Sequence, residues 1–200
     1  HRRSSAASDV YKRQLDNPAL QSAVIVPTPT LLVYNFEPIL TENHHYDKRH
    51  WQFVFESLEE LNHFFSQYDT KILISSSDIL HTLEEIQKQY TIKTIYSHQE
   101  TGLACTYARD QEVAGFCSSL SIDWKEFTNN GVFRGLSNRK NWRKKWYQFM
   151  SEPIQKWEAT NDSFVSIAAI DEMNFKPFEW TKHKTDQIRQ KGGTKQGLAY

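Results

Sequence analysis

Polar side chains follow the predicted strands at three places, and these are the positions where the chain is best able to bind a small molecule. They are Phe36–Glu37, Ser75–Ser77 and Ser97–Glu100. In open parallel sheets, ligands lie beyond the carboxyl ends of the strands, where the following helices offer unpaired backbone N–H groups. His98, Gln99 and Glu100 therefore either contact a ligand there or cap the helix that follows them. Both alternatives stay open.

No recognisable set of catalytic side chains accompanies these positions. The sequence contains no Ser-His-Asp or Cys-His pattern, no P-loop and no GxGxxG motif. It therefore lacks the residues that would support assignment as an ordinary hydrolase or as an NAD-dependent enzyme. His44 and His45 have no further ligand at metal-site spacing, which predicts a solvated turn. Arg109 and Asp110 are predicted to form a structural pair within one helix. We therefore expect the chain to supply neither a catalytic residue nor a metal ligand.

A basic segment with interleaved aromatic residues is the one feature that predicts contact with nucleic acid. Six cations and no acid lie between Gly131 and Met150, and three aromatic residues follow i, i+4, i+7 spacing. Either the aromatic face docks on the domain while the cations stay solvated, or the cations contact phosphates, or the rings stack on bases. Docking predicts that all three rings, Trp142, Trp146 and Phe149, are inaccessible. The candidate nucleic-acid residues are Arg139, Lys140, Arg143 and Lys144, and the two remaining cations are Arg134 and Lys145.

The hydrophobic pattern alternates between strand and helix signals, which is typical of a Rossmann-like parallel sheet with helices on both faces. Strands are predicted at 31–36, 72–74, 92–96 and 122–127. Helical spacing predicts an amphipathic helix over 50–68, a second helix capped by Ser77 or Asp78, and a third that opens near Thr101. The faces expected to be buried are Trp51, Val54, Phe55, Leu58, Leu61 and Phe65; Ile79, Leu83, Ile86 and Tyr90; and Val113, Phe116, Cys117 and Leu120.

The composition agrees with one α/β domain followed by a helical or irregular connector. The chain has 200 residues, with 12 Phe, 9 Tyr and 6 Trp to fill a core. Lys plus Arg and Asp plus Glu both number 24, so net charge indicates no particular partner. Cys105 and Cys117 lie about 18 Å apart along one predicted helix. That separation excludes a disulfide between them and predicts a reducing, cytoplasmic location. No apolar run predicts a membrane span.

Four ordered segments carry a family resemblance. They are YSHQETGLACTYARD at Tyr96–Asp110, GVFRGLSNRKNWRKKW at Gly131–Trp146, LDNPAL at Leu15–Leu20 and VYNFEP at Val33–Pro38. Together they resemble the N-terminal α/β domain of the photolyase/cryptochrome family. In that domain a strand ends in a polar turn, a helix carries Ala-Arg-Asp, and a basic linker then departs.

The resemblance implies that the strand-end crevice holds a light-harvesting antenna chromophore, a folate or a flavin-like ring. The candidate crevice residues are Phe36, Glu37, His98, Gln99, Glu100 and Thr106. Folate-binding members of the family carry an Asn-Glu pair just before Ala-Arg-Asp, whereas this chain has Cys105 and Thr106. Neither replacement offers a carboxylate, which lowers the expectation of a folate. Another chromophore and an empty, structural crevice remain as alternatives.

For the intact protein the resemblance implies an FAD-dependent repair enzyme. It would bind UV-damaged DNA, extrude a pyrimidine dimer and split it by blue-light-driven electron transfer from reduced FAD. The alternatives are a cryptochrome-type photosensor and a non-catalytic nucleotide-binding or interaction module of the same fold. FAD and dimer contacts are expected beyond Tyr200. We expect the protein to be monomeric.

The residues at the two ends of the chain predict that it is a fragment, cut at both ends. Residues 4–14, SSAASDVYKRQ, resemble the in-frame translation of a sequencing-library adapter. We therefore divide the chain into a non-native segment at 1–14, the antenna domain at 15–129, a connector at 130–186, and the start of a truncated FAD-binding helical domain at 187–200. Residues 1–14 lack the apolar run of the family's central first strand, so we expect that strand to be missing and the sheet to be disturbed.

Overall fold

The computed structural model describes residues 17–128, 131–153, 157–173, 175 and 191–193. Its strands are β1 (Leu32–Asn35), β2 (Ile72–Ser75), β3 (Thr94–His98) and β4 (Asp123–Phe127). Its α-helices are α1 (Pro18–Val24), α2 (Pro38–Thr41), α3 (Lys48–Phe65), α4 (Ile79–Gln89), α5 (Ala104–Ser119), α6 (Trp142–Met150) and α7 (Ile167–Glu172). Short 3-10 helices cover Ser66–Tyr68 and Asn161–Ser163.

Local sequence signals explain where the helices begin. Asn17 caps α1 through its side chain, and Pro18 follows at the first helical position, where a missing N–H costs nothing. Asp47 and His50 form a reciprocal capping box at the start of α3. Ser166 accepts a hydrogen bond from the backbone of Ala169 and starts α7. Each cap satisfies backbone donors that the helix itself leaves unpaired.

The described strands form two separate parallel pairs. β1 pairs with β2, with Leu32 opposite Ile72, and β3 pairs with β4, with Thr94 opposite Asp123. The α/β fold class predicted from the sequence is confirmed. The division into two pairs agrees with the expected disturbance of the sheet, although residues 1–14, on which that expectation depends, lie outside the described residues.

Three apolar clusters pack against the strands of the described fold, and α4 contributes to two of them, through Ile86 and Leu83. Beside β1 and β2, the face of α3 buries Trp51, Val54, Leu58 and Phe65, as its periodicity predicted, while Phe55 and Leu61 are partly buried against the same cluster. Between α4, α5 and β4 lie Leu83, Val113, Cys117 and Ile122. Two predicted core positions are wrong. Tyr90 is 40% exposed because α4 ends at Gln89, and Leu120 is 45% exposed because α5 ends at Ser119.

Part of the predicted connector packs back into this core. Phe164, Ile170 and Met173 are buried. Phe164 forms a parallel bridge with Thr30, and the hydroxyl of Thr70 donates to the carbonyl of Val165 at 2.7 Å. Segment 157–173 thus stabilises the β1–β2 half.

Two glycines of the last predicted segment, 187–200, are fixed against α3. The backbone N–H of Gly192 donates to Glu56 Oε2 at 2.7 Å, and that of Gly193 donates to Ser57 Oγ at 3.0 Å. A Cβ atom at Gly192 would overlap the carbonyl oxygen of Phe53 and lie 2.8 Å from Ser57 Oγ. Only glycine allows so close an approach.

Candidate functional site

A buried ion pair joins the two halves of the fold at the carboxyl ends of the strands. Glu37 follows β1, is 3% exposed, and accepts a hydrogen bond from Arg109 Nη1 to its Oε2 at 2.6 Å. Arg109 belongs to α5, which packs with β3 and β4. Glu37 Oε1 also accepts from the backbone N–H of Ile79 at 3.0 Å. One carboxylate therefore binds both the first turn of α4 and the guanidinium of α5.

The guanidinium of Arg109 lies close to three carboxylates, those of Glu37, Asp110 and Glu100. Its Nη2 lies 2.8 Å from Asp110 Oδ1 and 3.8 Å from Glu100 Oε2, and its Nε donates to Asp110 Oδ1 at 3.1 Å. Burial works against the charged guanidinium, but the charges of Glu37 and Asp110 and their hydrogen bonds outweigh it and raise the pKa of Arg109. One positive charge faces three negative ones, so the cluster carries net negative charge.

The chain's own carboxylates occupy the helix N-termini at this end of the strands. Glu37 binds the N–H of Ile79 at α4, and Glu100 Oε1 accepts from the N–H groups of Thr101 at 2.8 Å and Gly102 at 2.5 Å, just before α5. In many α/β proteins such N–H groups bind the phosphates of a ligand. Here a phosphate would have to displace a carboxylate.

The six candidate crevice residues have different environments. Glu37 and Glu100 come together through Arg109. Phe36 is a core residue, 2% exposed, with its ring centroid 5.0 Å from that of Tyr34. Thr106 is buried and donates its hydroxyl to the Leu103 carbonyl at 2.7 Å.

The remaining two candidates, His98 and Gln99, belong to the end of a strand. β3 extends two residues further than its apolar pattern predicted and ends at His98, opposite Phe127 of β4. The backbone N–H of Gln99 donates to the carbonyl of Phe127 at 2.8 Å. Both side chains are half-buried. The backbone at these positions thus completes the β3–β4 ladder.

An open cleft of about 740 Å³ lies next to the ion-pair cluster, between the first turn of α5 and the connector. Its lining residues are Glu100, Thr101, Gly102, Leu103, Ala104, Tyr107, Arg134 and Gly135. Tyr107 is 50% exposed, and the guanidinium carbon of Arg134 lies 5.2 Å from its ring centroid. Arg134 Nη1 also pairs with Glu126 Oε1 at 3.0 Å.

Sequence reasoning missed this cleft. It placed Tyr107 inside a helix and Arg134 among the connector cations, without bringing the two together. The available signal was the glycine pair Gly131 and Gly135. Both adopt left-handed backbone conformations, with φ of 65° and 69°, and such glycines mark sharp changes of chain direction. Two turns so close together predict a chain that reverses over a neighbouring element.

Part of the aromatic face of the connector helix α6 packs on the connector loop before it, and not on the α/β domain as the docking alternative predicted. Trp146 covers Gly131, where an added Cβ would lie 2.7 Å from Trp146 Cδ1, and Phe149 meets Phe133 edge to face at 6.1 Å between centroids. The prediction that all three rings are inaccessible is wrong: Trp146 and Phe149 are only partly buried, and Trp142 is 42% exposed. It opens the helix, one turn before Trp146. The four candidate nucleic-acid residues, Arg139, Lys140, Arg143 and Lys144, are all exposed.

His44 and His45 lie in an exposed turn, as predicted. Within the described residues, no group of three or more His, Cys, Asp or Glu side chains is arranged to hold a metal ion. Across the same part of the chain, every helix is too short or too polar to cross a bilayer.

Comparison with known proteins gives the family. The protein-family model for DNA photolyase matches residues 12–173. Among solved structures, a photolyase from the archaeon Sulfolobus tokodaii superposes with a TM-score of 0.65 at 16% sequence identity, over 92% of this chain and 42% of that one. That photolyase was determined with two FAD molecules, and its structure implies a novel light-harvesting cofactor. No curated protein matches the sequence. Because the family match extends over most of its residues, the chain belongs to the DNA photolyase family.

Proposed function

We propose that this chain is the antenna portion of a photolyase-like flavoprotein. The whole protein would repair pyrimidine dimers in UV-damaged DNA by blue-light-driven electron transfer from reduced FAD. The observation that carries the proposal is the family match over residues 12–173. The FAD and the light-harvesting cofactor of the archaeal photolyase support it. The chain spans 42% of that photolyase's length, so the chemistry of repair is proposed for the whole protein.

The proposed antenna site is the open cleft beside Tyr107 together with the strand-end crevice that borders it through Glu100. A cleft of about 740 Å³ is within the usual range for small-molecule sites. The half-exposed ring of Tyr107 offers a surface on which a flat heterocycle can stack. Of the six crevice candidates, Glu100 lines the cleft directly. Thr106 is hydrogen-bonded to the carbonyl of Leu103, which lines the cleft, and Glu37 is joined to Glu100 through Arg109. Phe36 lies in the core beside Trp51, and His98 and Gln99 lie at the adjoining strand end.

The charge of this region does not fit a dinucleotide at the strand ends. Glu37 and Glu100 already bind the N–H groups before α4 and α5, and three carboxylates face one guanidinium. A pyrophosphate placed there would meet net negative charge and no free donors at those N–H groups. This argues against a free-standing nucleotide-binding module and for a chromophore held mainly by its ring. We assign the catalytic FAD to no described residue.

When bound elsewhere in the whole protein, reduced FAD supplies the electron for dimer cleavage. The residues of this chain have a positioning role. Arg109 and Glu37 fix the relation of the two strand pairs, and Tyr107 with Arg134 shapes the cleft. Excitation captured by an antenna in that cleft would pass to the FAD that we propose for the whole protein.

The test compares the 200-residue chain with the protein extended past Tyr200 by its own gene. Both are purified, their flavin absorbance is recorded, and dimer loss from irradiated DNA is assayed under blue light. We expect FAD binding and repair from the extended protein and neither from the 200-residue chain. Dimer repair by the 200-residue chain would contradict the proposal that repair requires the extended protein. An extended protein that binds FAD and leaves dimers intact would instead favour a cryptochrome-type photosensor.

A further inference from the structure

We propose that the basic segment Arg139–Lys145 is a binding site for the phosphate backbone of DNA, independent of any lesion. The inference rests on the proposed function for the identity of the polyanion. Its test uses undamaged DNA and no light, so its failure is distinguishable from failure of dimer repair.

The first observation is a concentration of unpaired charge. The segment contains five cations and no acid, and all five are exposed. None of the ion pairs found among the described residues includes any of them, whereas the nearby Arg134 is paired with Glu126. The charges of the basic segment are thus available to an external anion. The five are Arg139, Lys140, Arg143, Lys144 and Lys145.

The second observation is how α6 presents its cations. Successive residues of a helix are 100° apart, so Lys144 lies on the side of α6 opposite Trp146 and Phe149, and Arg143 lies at the edge of that side. The two rings pack on Gly131 and Phe133, in the loop that leads into the helix. This packing leaves Lys144 and Arg143 facing away from the loop, where phosphates can reach them.

The same packing disfavours a membrane surface as the partner. An interfacial helix inserts a broad apolar face between lipids, but α6 has nine residues, and Trp146 and Phe149 pack on the loop before the helix. The apolar side chains of α6 that are exposed beside the cations are Trp142 at 42%, Tyr147 at 53% and Met150 at 53%. The guanidinium carbon of Arg143 lies 5.9 Å from the centroid of the Tyr147 ring. Cationic side chains outnumber exposed aromatic rings on this surface, and this composition suits contact with a phosphate backbone.

Binding through such contacts has a measurable salt dependence. Each phosphate neutralised on duplex DNA releases counterions and contributes about −0.9 to the slope of log K against log salt concentration. Loss of two contacts should therefore make the slope shallower by about 2 and weaken binding at low salt by about tenfold or more.

The experiment measures binding of the 200-residue chain to a fluorescein-labelled, undamaged DNA duplex by anisotropy over a series of salt concentrations. The test variant is Lys140→Glu with Lys144→Glu. The matched control is Lys48→Glu with Lys93→Glu, which changes the net charge equally at two exposed lysines outside the segment. Circular dichroism of each variant verifies that the fold is retained. The expected result is weaker binding and a shallower slope for the test variant alone.

Three outcomes would overturn the proposal. Equal losses in both double variants would mean that net charge alone determines binding. Unchanged binding of the test variant would remove the segment from the interface. Sedimentation of the chain with phosphatidylserine vesicles, without binding to the duplex, would identify a lipid surface as the partner. As an independent check, Lys140→Gln with Lys144→Gln should give an intermediate loss, because it removes the charges without reversing them.

Discussion

The carboxylate of Glu37 and the guanidinium of Arg109 lie 2.6 Å apart, although 72 positions separate them in the sequence. Glu37 lies just beyond the carboxyl end of β1, in the first strand pair. Arg109 belongs to α5, the helix that packs on the second pair. Since the described strands form two separate pairs, this buried contact links halves that no described backbone ladder joins. The side chain of Glu37 is 4% exposed and that of Arg109 is 22% exposed, so solvent screens the pair only weakly.

Replacement of Arg109 by alanine should destabilise the fold strongly. It leaves the buried Glu37 and Asp110 without their cation, a change that typically costs about 3 kcal/mol or more in free energy of unfolding. Urea denaturation followed by circular dichroism measures the loss. The matched control is Arg49→Ala, which breaks an ion pair whose side chains are more than half exposed and should have little measurable effect. Similar losses in both variants would show that the Glu37–Arg109 contact does not join the halves.

Tyr34 should make the fold sensitive to alkali. Burial, reinforced by the negative charge of Glu37, raises the pKa of its hydroxyl. Above about pH 10 an unfolded chain releases this proton while the folded chain keeps it, so stability is fully present below that pH and falls above it, by about 1.4 kcal/mol per pH unit. Tyr34→Phe should flatten this decline in denaturation curves recorded at a series of pH values.

The control for that measurement is Tyr90→Phe, at a tyrosine that is 40% exposed, and it should leave the alkaline decline unchanged. Cys117, whose pKa burial also raises, contributes equally in every variant and cancels in the comparison. An identical decline in Tyr34→Phe and the parent chain would mean that Tyr34 reaches solvent before it ionises.

The sequence predicted those features that repeat over short distances. The buried face of α3 follows from 3.6-residue periodicity, and the α/β class follows from alternation of strands and helices. The same rule failed for Leu120 and Tyr90, because periodicity does not tell where a helix stops. The family resemblance drew attention to both Glu37 and Arg109. No local pattern could pair them, since the contact depends on how the two halves meet.

Segment 157–173 shows the same limit. Its helix α7 has six residues, too few to display a periodic face, and its contribution to the core comes from long-range contacts such as that between Thr70 and Val165. A short segment of this kind looks like a linker in sequence. Its burial depends on the cavity that the β1–β2 half provides.

Replacement of Gly192 by alanine should release residues 191–193 from α3. The new Cβ would overlap the Phe53 carbonyl oxygen, which is backbone and cannot move aside cheaply, so we expect a local cost of about 1 to 3 kcal/mol. Faster trypsin cleavage after the exposed Lys191 would report the release. Gly115→Ala is the control, because nothing lies within 4 Å of its added Cβ inside α5. That change should raise the free energy of unfolding by about 0.5 to 1 kcal/mol without altering cleavage, and unchanged cleavage in Gly192→Ala would contradict the docking.

The last prediction concerns the chemistry that the proposed antenna site accepts. Glu100 places a negative charge at the cleft and on the N–H groups of Thr101 and Gly102. Glu100→Gln keeps an oxygen that accepts those hydrogen bonds and removes the charge. Near a protein surface, one unit charge at about 8 Å from a phosphate changes its binding free energy by about 0.5 to 2 kcal/mol. Fluorescence titration should therefore show that FMN, a flavin with a single phosphate, binds the variant severalfold more tightly than the parent chain, while riboflavin, which has no phosphate, gains little. Glu112→Gln, on an exposed position of α5, should change neither affinity. Equal gains for FMN and riboflavin would show that Glu100 acts through the shape of the cleft and not through its charge, and no change for either ligand would place the chromophore elsewhere.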